Sequence, residues 1–224
     1  MNTLQSQKEQ FKSWFDTTIQ EQFKIREELI GQSVEGLFYT PQVDGSDIDL
    51  KGNNAVHLPL GYLTFVTSAG NTYRMETNYQ TWCGGIFGIT LEKIIKNETH
   101  NPIVFPLINQ FLQNEKWNII KDAKIKQVDW NWKRETDCKL NGQNLSIREA
   151  HKFLLEDSFA PESLVFHFDN NKSIFFFALE PDEEICDKQT YTLISGGEEI
   201  IIFFDETDLK RWDIHIIGFQ IRPD

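Results

Sequence analysis

Apolar residues recur at every fourth position near the start of the chain. Phe11, Phe15, Ile19 and Phe23 form the stripe, and Leu4, Trp14 and Leu29 widen it. That spacing follows the 3.6-residue turn of an α-helix, so it predicts an amphipathic helix over residues 3–30 with Gln, Lys and Glu on its polar side. Gly31 is a natural C-terminal stop, because glycine accepts the left-handed backbone that ends a helix. Such a helix either packs on the rest of the fold or grips a partner.

From Ser33 the period shortens to two. Val34–Tyr39 reads as a strand, and Tyr62–Thr67 with Thr72–Thr77 flank the loop Ser68-Ala69-Gly70-Asn71 as a β-hairpin. Ile86–Leu91 is a further apolar run after Gly84-Gly85, with a short helical turn expected over Glu92–Asn97. Helical spacing returns at 101–116 through Val104, Leu107, Ile108, Phe111 and Leu112, with Pro102 and Pro106 at or before the first turn. Lys124–Trp132 alternates cleanly. Ser146 followed by Glu149 is a capping-box pattern opening a helix to about Glu156. A second hairpin joins Ser163–Phe168 to Ser173–Leu179, and a third joins Tyr191–Ile194 to Glu198–Phe204 across Gly196-Gly197. Asp208–Trp212 reads as a short helical turn and Ile214–Ile221 as a last strand.

The expected fold is α+β: mainly antiparallel β, with an N-terminal amphipathic helix and two or three shorter helices. The same grammar occurs twice. Val34–Tyr39 echoes Ile125–Trp130, the Tyr62–Thr77 hairpin echoes Leu164–Glu180, and a Gly-Gly before an apolar strand occurs at 84–85 and 196–197. This predicts pseudo-repeats at 31–100 and 119–224, joined by a helical segment 101–118, within one globular unit over 1–224.

Composition sharpens the picture. Hydrophobic residues are 40% and charged residues 25% of the 224, the proportions of a folding chain rather than a disordered one. Eighteen Phe, in runs such as Ser173–Phe177 and Ile200–Phe204, suit sheet interiors and would aggregate unless buried. The formal net charge is −12, which repels phosphate backbones and anionic membrane surfaces and steers basic proteins inward. Neither nucleic acid nor membrane is therefore an expected partner. No apolar run approaches the roughly 18 residues of a membrane span, and the start of the chain lacks the basic-then-apolar pattern of a signal peptide. Cys83, Cys138 and Cys186 form no CxxC pair and read as free thiols, so a cytoplasmic location is expected.

Candidate chemistry is sparse. His57, His100, His151, His167 and His215 show no metal-ligand spacing, and His167 inside an alternating strand reads as a packed or surface residue. GxSxG, Walker and GxGxxG patterns do not occur. Asp44–Asp49 has the look of a calcium loop without its spacing. Trp130, Trp132 and Lys133 could stack on sugars or bases, although edge-strand packing accounts for them equally. No catalytic residue, metal or cofactor is assigned. The chain is expected to be a non-enzymatic acidic binding protein, an immunity- or antitoxin-like inhibitor that meets a basic partner through Glu180, Asp182, Glu183, Glu184, Glu198 and Glu199. The alternative is a small-ligand binder or enzyme with a pocket between the two β-rich halves, drawing on His57, Arg74, Trp82 and Cys83. A homodimer through the first helix and a β edge is a third arrangement.

Overall fold

The computed structural model describes residues 4–39, 59, 61–78, 88–95, 116–134, 140, 142–152, 159–181, 193–195, 199–216 and 218–223. The predicted first helix is present as α1 (Leu4–Leu29). Phe15, Ile19, Phe23 and Leu29 of its stripe are buried, and Gly31 closes it in the left-handed region at φ 83°.

Four strands follow: β1 (Val34–Phe38), β2 (Tyr62–Thr67), β3 (Thr72–Asn78) and β4 (Gly88–Ile94). They pair in chain order as an antiparallel meander. After a 3₁₀ turn at Trp117–Ile120 come β5 (Ile125–Arg134), β6 (Asn144–Ser146), α2 (Ile147–Ala150), β7 (Phe159–Phe168) and β8 (Ser173–Pro181). The chain ends in β9 (Leu193–Ser195), β10 (Glu199–Phe203), α3 (Glu206–Arg211) and β11 (Gln220–Arg222). The second sheet runs β10-β8-β7-β5, with β9 also on β8. β6 and β11 form a small parallel pair, which Trp132 joins to β5 by bridging Phe219. Gly218 makes that approach possible: a Cβ there would lie 2.2 Å from the Trp132 carbonyl oxygen.

The α+β class is thus as the periodicity predicts. The capping box forms, with the Glu149 N–H donating to Ser146 Oγ at 3.2 Å and the Ser146 N–H to Glu149 Oε2 at 2.8 Å. Three expectations are corrected. Glu92, Lys93 and Ile94 extend β4 rather than opening a helical turn, because each pairs across to β3. The third hairpin does not close on itself: β9 and β10 each pair with β8, whose long apolar face rewards pairing more than a glycine turn does. The last strand is only β11, since Ile214 instead packs against the outer face of the second sheet. The helix expected at 101–116 lies outside the described residues, apart from Lys116.

The two sheets face each other over one apolar cluster that also takes in α1. Alternation sends Phe65, Tyr73 and Met75 inward from the first sheet and Leu164, Phe166 and Phe176 inward from the second. Phe65 meets Phe166 edge-on at 5.8 Å between ring centres. A smaller cluster lies on the outer face of the second sheet, where Leu209, Trp212 and Ile214 pack over Val165, Phe175, Phe177, Ile201 and Phe203. No helix among the described residues is long and apolar enough to cross a membrane.

Candidate functional site

Among the described residues a void of about 10 Å³ lies between the sheets, where Val34, Leu37, Phe65, Trp117 and Phe166 converge, and its lining is apolar. It has room for no more than a water-sized body and no polar atom to hold one.

A polar row crosses the outer face of the second sheet. In β5, Val128, Trp130 and Trp132 point into the core, so Gln127, Asp129 and Asn131 point out. Register then sets Gln127 opposite His167 on β7, and His167 opposite Ser173 on β8. Asp129, one pleat along β5, closes the group. His167 Nε2 lies 3.0 Å from Asp129 Oδ2, and His167 Nδ1 lies 2.9 Å from Ser173 Oγ. Gln127 Nε2 donates to both Asp129 oxygens, at 2.7 and 2.9 Å.

An ionised carboxylate only accepts hydrogen bonds, so the His167 proton sits on Nε2 and the Nδ1 lone pair receives the Ser173 hydroxyl. Burial, the largest single influence on Asp129, pushes its carboxyl up. The hydrogen bonds from His167 and Gln127, with Arg26 adding positive charge nearby, outweigh it, and the carboxyl lies below its ordinary range. Hydroxyl, base and orienting carboxylate stand in the order that activates a nucleophile. Next to them Asn131 Nδ2 donates to Ser163 Oγ at 3.1 Å in a buried contact. Among the described residues no group of three or more His, Cys, Asp or Glu is placed to hold a metal ion.

Of the residues singled out from sequence, Arg74 sits on β3 between Tyr73 and Met75, both in the core, so it faces away from the space between the halves. Its guanidinium is held on the surface by Glu92 at 3.0 Å and Glu76 at 3.3 Å, 5.8 Å from the centre of the Tyr62 ring. Glu199 is the half-buried first residue of β10, opposite Leu179. Glu180 pairs through its backbone with Ile194. His57, Trp82, Cys83, Asp182, Glu183, Glu184 and Glu198 lie outside the described residues.

The row of Asp129, His167 and Ser173 escapes a reading along the chain, since its members come from three strands. The hairpin closes on 169–171, with Phe168 against Lys172, and that sets His167 across from Ser173. Placing Asp129 beside them needs the β5–β7 register, which a bulge between Ile125 and Gln127 shifts by a residue. Comparison with protein-family models, curated proteins and solved structures finds no match for this chain.

Proposed function

We propose that the protein is an acidic, cytoplasmic, non-enzymatic binding protein, immunity- or antitoxin-like, that covers a basic protein partner. The observation that carries this reading is the net charge of −12 on a chain of 224 residues, which speeds encounter with a basic surface and discourages phosphate-bearing ones. Glu180, Asp182, Glu183, Glu184, Glu198 and Glu199 are the proposed contacts. Tagged protein is to be drawn through its host's lysate at low and high salt. One basic partner in near-equal amount, released by salt, is expected; a prey list without one overturns the reading. With that partner in hand, reversing Glu183 and Glu184 to Lys is expected to slow association about tenfold and flatten its salt dependence.

A second reading rests on the row of Asp129, His167 and Ser173, which favours an acyl-transfer hydrolase. Ser173 Oγ would attack an ester carbonyl, its proton passing to His167 Nδ1 and then to the departing alcohol, and water would release the acyl group. A fluorophosphonate probe is expected to label Ser173 stoichiometrically on this reading, with Ser173→Ala losing the label and Asp129→Asn slowing it. Labelling no faster than that of a free serine removes the reading.

A further inference from the structure

The two sheets repeat each other bond by bond. After α1 the Gln32 N–H donates to the Leu29 carbonyl at 3.1 Å, and after the 3₁₀ turn the Ala123 N–H donates to the Ile120 carbonyl at 3.1 Å. Between each of those pairs stands a residue with positive φ, Gly31 at 83° and Asp122 at 61°. The first strand of each sheet then bulges at the same place, between Val34 and Gly36 and between Ile125 and Gln127.

The hairpins match as closely. The Thr67 N–H reaches the Asn71 carbonyl at 2.9 Å, as the Phe168 N–H reaches that of Lys172 at 2.9 Å. Both turns place a positive-φ residue third, Gly70 and Asn171. Each turn is also tied to the strand beside it. Ser68 and Asp169 donate their N–H groups to the carbonyls of Ser33 and Lys124, both at 2.9 Å. In return Ser68 Oγ and Asp169 Oδ1 accept from the Ser33 and Lys124 N–H groups, both at 3.1 Å. Three-residue hairpin loops recur in many antiparallel sheets, but a turn side chain serving the neighbouring strand's N–H, next to a shared bulge, is not part of that common pattern.

The relation between the copies is a twofold. Ser33 forms an antiparallel bridge with Lys124, its own equivalent, and Phe65 packs on Phe166, its own equivalent. A residue meets its equivalent only on a twofold axis, which is the signature of a self-complementary interface. Inward positions stay apolar in both copies: Leu63 matches Leu164, and Leu91 matches Ile202. Outward positions diverge. Arg74, Glu76 and Glu92 correspond to Phe175, Phe177 and Phe203, while Phe38, Val66 and Thr72 correspond to Asp129, His167 and Ser173.

We infer that the inward face of each sheet is a docking surface for a second copy of itself, and that the chain is a homodimer of one four-stranded unit drawn into a single polypeptide. The shared inner face keeps the dimer contact. The outer faces, freed from identity, divide the surface chemistry: one carries charged pairs, and the other carries the polar row and an apolar patch closed by the C-terminal segment.

Reciprocal exchange in the full-length protein tests the equivalence. Ser68→Asp with Asp169→Ser is expected to keep the amides of Ser33 and Lys124 protected from hydrogen exchange and to hold Tm within about 1 °C. Ser68→Ala and Asp169→Ala are each expected to cut protection of the matching amide at least tenfold and to lower Tm by about 2–4 °C. An exchange variant that behaves like the two alanine variants overturns the equivalence. The interface is tested by placing a protease site at 105–110 and cutting the folded protein. The two pieces are expected to stay together as an equimolar complex with unchanged circular dichroism, and separation or unfolding after the cut overturns the dimer-like contact.

Discussion

Tyr73 shows how single side chains tie α1 to the first sheet. Its ring is in the core, and its hydroxyl donates to Glu28 Oε2 at 3.1 Å, where Lys93 Nζ also arrives at 2.7 Å. Burial and the neighbouring Glu28 carboxylate push the Tyr73 phenol up to about 12, so it remains a donor at neutral pH. The Lys93 hydrogen bond holds the Glu28 carboxyl below its ordinary value, with Tyr73 assisting. A carboxyl depressed in the folded state stabilises above its unfolded value, near 4.5, and loses that contribution as pH falls through the folded value. Glu28→Gln is therefore expected to lower stability by about 0.5–1 kcal/mol at pH 7, a modest figure for a partly exposed pair, and to converge with the parent under acid. Urea melts at pH 7 and pH 3 check this, and an equal deficit at both would mean that packing, not charge, is what Glu28 supplies. His151, just past the end of α2, forms a comparable contact with Asp16 of α1. The sequence advertises neither link, because hydrogen-bonding partners far apart in the chain have no periodicity.

Among the elements, α1 does more than cover the core. Gln22 is buried, and its amide treats β4 as a neighbouring strand would: Nε2 donates to the Leu91 carbonyl at 3.1 Å, and Oε1 accepts the Leu91 N–H at 3.3 Å. β4 stands at the end of its sheet, and an open edge invites pairing with other chains. Gln22→Ala leaves both Leu91 groups unpaired and is expected to cost about 1–3 kcal/mol. Hydrogen exchange at the Leu91 amide should quicken in this variant; an unchanged rate would show that Gln22 does not guard the edge. The stripe of Phe15, Ile19 and Phe23 was readable as a helix because an amphipathic period is local. That Gln22, on the same helix, serves a strand edge was not readable, since polar residues on a helix are ordinarily solvated. For the same reason His167 reads along the chain as an isolated strand residue, and only register sets it between Asp129 and Ser173.

At the scale of the whole molecule, Phe65 stands at the contact between the sheets, against Tyr73 at 5.4 Å and Phe166 at 5.8 Å. Phe65→Ala removes that contact and is expected to cost about 3–5 kcal/mol, with fluorescence and far-UV circular dichroism still reporting one shared transition. Two separated transitions would show the sheets to be independent. Sequence alone determined the fold class, the first helix, the first two hairpins and the capping box. Each is specified by neighbours a few residues apart, through period, turn chemistry or cap. Only the tertiary structure decided that β9 and β10 both pair with β8, that Arg74 faces outward, and that Asp129, His167 and Ser173 stand in a row. It alone set Phe65 against Phe166. Those outcomes depend on which strands lie side by side and in what register, and that is chosen by the shared burial of surfaces from distant parts of the chain.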